Sequence, residues 1–397
     1  MEKIYLDYAA TTPVDPRVLD SMQPYFSQIF GNPSSMHTFG QQAEAALESS
    51  RERVAGVLNC SPEEVIFTSC GTESDNLALR GAAFHARKHR AANHILISPV
   101  EHHAVSRTAQ QLADINNFEI EYLPVDEYGM VNPQDVSARL RPTTAVVSVI
   151  YANNEIGTIN PIAEIGAICR ERQIPFHTDA VQAAAYLPVD VQDLSVDLLS
   201  LGGHKFYAPK GVGALYIRKH GLPGKLGEKS RGIKIIPSQT GGAQEFGMRA
   251  GTQNIPYIVG FAEALRLAQL ERTSRRDSLE SMRDYLIGQV LEKIPDSALT
   301  GHPVHRLPNH ASFVFDGVDG NMLLMLLDLA GFACSSGSAC KTGDPQPSDV
   351  LLALGLPAHW ALGSLRVTLG SGSLPNHIAS FLTILPEAVN KSRRIAN

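Results

Sequence analysis

A lysine placed behind an apolar strand is the residue in this chain best suited to act as a nucleophile. Lys205 lies in Gly202-Gly203-His204-Lys205-Phe206-Tyr207-Ala208-Pro209-Lys210-Gly211, directly after the apolar run Val196-Asp197-Leu198-Leu199-Ser200-Leu201. Burial at the end of such a strand penalises the ammonium, lowers its pKa and leaves a usable amine. The two glycines let the backbone approach a ligand closely, and His204 adds a hydrogen-bond donor beside the amine. That chemistry is the chemistry of a Schiff-base lysine, and pyridoxal phosphate is the cofactor that most often needs one. A plain Gly-rich surface loop is the competing reading of the same residues.

Other residues fall where this chemistry needs them. Ser69-Cys70-Gly71-Thr72-Glu73-Ser74 separates a strand from a helix, and free N–H groups there, with the Thr72 hydroxyl, make a phosphate site. Ser69 or Thr72 could instead simply cap that helix. Asp179 ends the strand Phe176-His177-Thr178, where a carboxylate can keep a pyridinium nitrogen protonated or can cap the next segment. Gln182, one turn on, could reach a phenolic oxygen of the cofactor. His102 opens a helix just after a strand, where a flat ring can stack on a pyridine or only pack.

The elements that must position these residues alternate regularly. Residues 1–15 read as extended, Arg17–Phe26 as a short helix, and Glu44–Leu58 as a longer one. Strands are expected at Val65–Phe67, His94–Ile97, Ala145–Ile150, Pro175–Thr178 and Val196–Leu201, with helices at Glu73–Ala86, His103–Ala113 and Ile162–Arg172. Continuously apolar strands separated by helices mean parallel strands covered on both faces, with ligands beyond their carboxyl ends. One helical span from Ile255 to about Ile294 leads towards a second lobe with strands at Ala311–Phe315 and Leu365–Leu369 and helices at Asn321–Leu329 and from Pro375.

Composition bounds the setting. At 397 residues the chain exceeds one typical core, and 44% hydrophobic with 19% charged residues suits a globular enzyme. A formal net charge of −6 without a long basic block argues against nucleic-acid or anionic-membrane binding. Met1–Asp7 lacks the apolar core of a secretory signal, and the most apolar stretch, Met322–Ala330, is too short to span a bilayer. Five cysteines (60, 70, 169, 334 and 340) without CxxC spacing argue against a disulfide framework or a metal site, so a reducing cytoplasm is expected.

Taken together, the motifs resemble the NifS/IscS-type cysteine desulfurases, class-V aminotransferase-like enzymes of the α/β PLP fold type I. The matching stretches are Tyr5-Leu6-Asp7-Tyr8-Ala9-Ala10-Thr11-Thr12-Pro13, Gly31-Asn32-Pro33-Ser34-Ser35, Thr72-Glu73-Ser74-Asp75-Asn76 and Glu101-His102. They continue with Asn153-Asn154-Glu155-Ile156-Gly157, Asp179-Ala180-Val181-Gln182, His204-Lys205, Gly247-Met248-Arg249-Ala250-Gly251-Thr252 and Ser335-Ser336-Gly337-Ser338-Ala339-Cys340. The resemblance implies a mostly parallel seven-stranded sheet in a large lobe of residues 16–258. It also implies a smaller α+β lobe of residues 1–15 and 259–397 that carries the catalytic cysteine.

Residue roles follow from the same resemblance. It implies that Lys205 holds pyridoxal 5'-phosphate and later moves the α-proton, Asp179 pairs with the ring nitrogen, Gln182 meets the phenolic oxygen and His102 stacks on the ring. Gly71, Thr72, Gly202 and His204 would hold the phosphate, with Thr252 reaching it from a partner subunit. Asn154 and Arg366 would grip the substrate carboxylate, a role that suits a planar guanidinium. Cys340 would take the sulfur of L-cysteine as a persulfide with release of L-alanine, for iron-sulfur cluster or other thio-cofactor assembly. Cys334, between small and apolar neighbours, is expected to pack.

Partners implied are a second copy and a sulfur-acceptor or scaffold protein. Departures from the family pattern are Gly202 in place of a frequent Ser, Cys70-Gly71 before Thr72, a longer 219–242 segment, and Lys341-Thr342-Gly343-Asp344-Pro345-Gln346-Pro347 after Cys340. A docking tail of the kind some relatives carry is not expected. Selenocysteine lyase, another PLP enzyme, or a non-catalytic sulfur-relay protein are the alternatives.

Overall fold

A computed structural model describes residues 3–219, 232–337 and 346–396. Cys340, most of the segment after it, and the greater part of the long 219–242 segment lie outside the described residues.

The chain begins with β1 (Ile4–Tyr5), α1 (Pro16–Met22), α2 (Pro24–Ser27) and α3 (Thr38–Leu58). The alternating region holds β2 (Val65–Thr68), α4 (Gly71–Arg90), β3 (His94–Ile97), α5 (His103–Asn116), β4 (Glu119–Tyr122), α6 (Pro133–Arg139), β5 (Thr144–Ser148), α7 (Ile162–Glu171) and β6 (Phe176–Asp179). It closes with β7 (Leu198–Gly202) and β8 (Gly213–Ile217). Then come α8 (Ile255–Leu270), α9 (Arg272–Lys293), β9 (Ser297–Leu299), β10 (His310–Phe315), α10 (Gly320–Leu329), β11 (Phe332–Ala333), α11 (Asp349–Ala353), α12 (Ala358–Leu362), β12 (Ser364–Thr368) and α13 (Pro375–Ala396).

The main sheet has seven strands in the order β2-β8-β7-β6-β5-β3-β4. Six of the seven share one direction and β8 runs against them, so the sheet is mostly parallel, as expected. Every residue of β2, β3, β5, β6, β7 and β8 is buried, because helices cover both faces and leave these strands no solvent-facing side. A smaller antiparallel sheet, β12-β10-β9, and the parallel pair β1-β11 complete the fold.

Three local readings change. The expected helix over Arg17–Phe26 is two, because Pro24 has no N–H to continue the ladder of α1 and starts α2 instead. The expected span from Ile255 to Ile294 breaks at Glu271, whose φ/ψ of −91°/4° turns the chain. The break lets α8 lie along α3 while α9 crosses to β9, β10 and α13. Strands β4 and β8 add to the strands expected from the sequence. The first is a polar edge, Glu119-Ile120-Glu121-Tyr122, and the second follows the turn after Lys205 so closely that it merges with that loop.

Candidate active site

The carboxyl ends of the parallel strands converge on one cleft, which the N-terminal segment crosses. Lys205 leaves the short turn after β7, and its Nζ donates to the carbonyl oxygens of Ala9 (2.5 Å) and Ala10 (2.8 Å). The segment is held there by Thr12, whose N–H and hydroxyl both donate to the His204 carbonyl (3.0 Å each). Burial first and the Arg366 charge second, opposed by Asp7 and Asp179, bring the Lys205 pKa from 10.5 to about 8.

Asp179, at the last position of β6, is buried and accepts the Val181 N–H at 2.8 Å. Desolvation raises its carboxyl to about 6, against the pull of that N–H and of the Lys205 charge. Beneath it lies Asp75 from the first turns of α4, to which the sequence had assigned no role. An oxygen of Asp75, an oxygen of Asp179 and a ring nitrogen of His102 all fall within 4.8 Å of one another. Two buried carboxyls this close do not both ionise, and Asp75, fully buried and repelled by Asp179, is pushed well above the usual carboxylate range. His177 fills the space behind them, its Nδ1 on Ser148 Oγ and its Nε2 on Ser200 Oγ (2.9 Å each). Burial holds that imidazole neutral, at about 3.

His102 is the N-cap of α5, and its Nδ1 accepts the Ala104 N–H at 3.1 Å. That bond puts the ring proton on Nε2 and fixes the plane of the ring at the cleft mouth. The protein packed behind the ring, then the Lys205 charge, hold its pKa down to about 4. His204 is likewise lowered to about 4 by burial and by Lys205, and its Nδ1 lies 3.2 Å from Thr11 Oγ1. Gln182 is buried, and its Nε2 donates to the Ala9 carbonyl at 2.8 Å, so one amide proton serves the crossing segment.

The turn from β2 to α4 decides between an anion site and a mere cap. The N-cap residue is Cys70, and among the described residues no side chain caps the helix. The Ser69 N–H and hydroxyl go to the Glu73 carboxylate instead (2.7 Å from the N–H), and Arg249 pairs with Glu73 at 2.8 Å. The Gly71 and Thr72 N–H groups therefore point from an uncapped helix start. Beside them the backbone is tight: a Cβ on Gly71 would lie 2.6 Å from Val181 Cγ2, and one on Gly202 would lie 3.2 Å from Val181 Cγ1. The Val181 side chain thus favours glycine at both positions, beside N–H groups that suit a phosphate. Thr252 stands exposed on the turn beyond Arg249.

On the other side of the cleft Arg366, from β12, is buried and held on two sides. Its Nη1 donates to the Asn154 carbonyl (2.9 Å), and its Nη2 reaches Asp7 Oδ1 (3.1 Å). Its Nε has no partner among the described residues, a buried donor left for a ligand or water. Asp7 also accepts the Ser335 hydroxyl at 2.7 Å. Asn154 follows Asn153, whose Oδ1 accepts the N–H groups of Glu155 (2.8 Å) and Ile156 (3.0 Å) and so fixes the turn. Cys334 is packed against this region, and burial raises its thiol, which keeps it a thiol rather than a thiolate.

The residues fit pyridoxal phosphate: a buried amine of lowered pKa, a buried carboxyl for the ring nitrogen, a flat neutral ring, and a backbone notch with free N–H groups. The profile of the aminotransferase class-V family matches residues 4–378. The chain belongs to that family. It is 45% identical over 394 residues to the cysteine desulfurase IscS of Dictyoglomus turgidum, covering 99% of this chain and 96% of that protein. It is also 45% identical over 393 residues to the cysteine desulfurase IscS of Methanosarcina thermophila, covering 99% and 93%. A solved NifS-like protein superposes with a TM-score of 0.88 at 34% identity, covering 98% of this chain and all of that one.

The class-V family member described here thus gathers Gly71, Thr72, His102, Asn154, Asp179, Gln182, Gly202, His204, Lys205 and Arg366 around one cleft. Sequence reasoning quoted Asp7, Asp75, Glu101 and Glu155 inside family motifs but gave them no role. Glu101 is buried, raised well above the usual range by desolvation, and accepts the Ile150 N–H at 2.6 Å.

Proposed function

We propose that this chain is a pyridoxal phosphate-dependent cysteine desulfurase that converts L-cysteine to L-alanine and passes the sulfur to Cys340. The observation that carries the site assignment is Lys205, a buried amine of lowered pKa facing Asp179. Bound pyridoxal phosphate supplies a carbon for the substrate amine and a ring that delocalises the electron pair left when the α-proton departs. Asp179 keeps the ring nitrogen protonated, while neutral Asp75 beneath it leaves that charge to Asp179 alone. The Nζ of Lys205 takes the α-proton, and the Arg366 guanidinium with Asn154 orients the carboxylate. The Cys340 thiolate attacks the substrate sulfur: an S–S bond forms as the substrate C–S bond breaks, and the carbon keeps the electron pair and takes a proton to become alanine.

The active unit in this reading is a homodimer, with Thr252 reaching the partner's phosphate. Support comes from apolar side chains left open among the described residues: Phe30, Met36 and Phe39 are 65%, 92% and 53% exposed, and Phe246 stands near half exposure. The lobe division at 15/16 and 258/259 belongs to the same reading, supported by the small sheet and the β1–β11 pair lying outside the main sheet. So do a cytoplasmic setting and a protein sulfur acceptor for cluster or thio-cofactor assembly. Among the described residues, no helix is long and apolar enough to cross a membrane. The test is the purified holoprotein with L-cysteine and a thiol reductant. Equimolar alanine and sulfide support the reading, and alanine formed only with an added keto acid sinks it.

A further inference from the structure

Gly337 and Ser348 flank the stretch that bears Cys340, which lies outside the described residues, and both meet one side chain. Ser348 Oγ donates to Glu155 Oε2 at 2.5 Å. From the other end, a Cβ placed on Gly337 would lie 2.8 Å from that same Oε2, so the glycine backbone rests against the carboxylate. Each end is also secured on its own side. The Gly337 N–H donates to Ser364 Oγ (3.2 Å), and Ser348 is buried and caps α11 through the Leu351 N–H (3.3 Å).

Glu155 itself cannot drift. Its N–H and that of Ile156 are held by the fully buried Asn153, whose Nδ2 donates in turn to the Val100 carbonyl at 2.7 Å. The preceding residue is Asn154, whose carbonyl takes Arg366 Nη1 and lies 3.2 Å from His310 Nε2. One rigid turn therefore touches the group that grips the substrate and both roots of the segment that attacks it. Burial raises the Glu155 carboxyl to about 7, with Ser348 and the Arg366 charge pulling it down and Asp349 pushing it up. A neutral isostere is accordingly a close substitute there.

We infer that Glu155 is a positioning residue for sulfur transfer, clamping Gly337 and Ser348, which flank the stretch with Cys340, to the Asn154 turn. This rests on Cys340 being the acceptor. A misplacement of ~1 Å at a reacting group can cost up to about 10²-fold in rate. The clamp acts after substrate is seated, so its loss separates two steps that a general loss of structure would slow together.

The experiment uses the holoprotein mixed rapidly with L-cysteine. Absorbance reports the change in the cofactor on substrate binding, and mass spectrometry of quenched samples reports sulfur added to Cys340. For Glu155→Ala the absorbance change should stay within about twofold of wild type while persulfide forms about tenfold more slowly. Glu155→Gln, which keeps an oxygen for Ser348, should recover most of that rate. Gly337→Ala, which pushes a methyl against Oε2 from the opposite end, should slow persulfide formation alone. A Glu155→Ala rate within twofold of wild type, or absorbance and persulfide slowed equally, overturns the inference. Wild-type protein that places no sulfur on Cys340 refutes the acceptor assignment itself and takes the clamp with it, an outcome readable before any variant is made.

Discussion

Lys205 should titrate as an amine with a midpoint near pH 8, and the consequence is large enough to measure directly. Its pKa falls from 10.5 to about 8, burial being the main cause and the Arg366 charge the next. A group of pKa about 8 is roughly one-tenth neutral at pH 7, whereas one near 10.5 is neutral in only about three molecules per ten thousand, a difference of ~300-fold in nucleophile. The assay is limited acetylation of the apoprotein at a series of pH values, with the peptide carrying Lys205 quantified by mass spectrometry. The initial rate should climb about tenfold per pH unit up to pH 8 and then flatten. Because the lowered pKa leaves the folded state deprotonated between about 8 and 10.5 while the unfolded chain still holds the proton, this group favours folding increasingly as pH rises through that window. Arg366→Leu removes a repelling charge and should move the midpoint up; Asp179→Asn removes an attracting one and should move it down. Both moves should be smaller than the shift caused by burial. A midpoint above pH 10 in the wild type, or an Arg366→Leu midpoint that falls, refutes the electrostatic account of the site.

Other outcomes follow from particular contacts. Arg51 and Glu245 form a buried ion pair at 2.8 Å, and Glu245 also takes the Phe67 N–H at 2.9 Å, so Glu245→Ala strands a charge and a donor. It should cost about 3–5 kcal/mol in urea unfolding, and a loss below ~1 kcal/mol contradicts the pairing. Asp75→Asn copies the neutral carboxyl and should leave cofactor absorbance and turnover within about twofold, while Asp179→Ala removes both; ionised Asp75 would make the first variant change the spectrum. Thr252→Ala should release pyridoxal phosphate about tenfold faster on dialysis, the loss of one hydrogen bond to a charged group, with the dimer intact by light scattering. A variant that retains cofactor as wild type removes Thr252 from the phosphate site.

Much of this site could be read from the chain because its residues sit at strand ends, and the strands announce themselves as short apolar runs. Lys205, Asp179 and His102 each follow or end such a run. The edge strand β4 was illegible because two of its four residues are Glu, and no buried face repeats there. Strand β8 is antiparallel and shares its turn with Lys205, so helix-strand alternation gave no cue for it. The partners of the site residues were harder still, since they are set by tertiary approach. Nothing in the sequence near Gln182 shows that its amide meets Ala9, or that Asp7 neutralises Arg366 from across the cleft. Asp75 and Glu155 looked like ordinary motif acids; their raised pKa values come from burial that the sequence does not display.

The central claim is that sulfur passes from cysteine to one thiol of this chain, and persulfide mapping tests it most directly. Holoprotein incubated with L-cysteine without reductant, alkylated and digested, should carry one extra sulfur on the peptide containing Cys340, with alanine released in equal amount. The Cys340→Ser protein should keep its cofactor spectrum, still respond to cysteine, and yield neither persulfide nor alanine beyond trace. Sulfur found instead on Cys334, Cys70 or Cys169, or normal turnover by Cys340→Ser, would contradict the account.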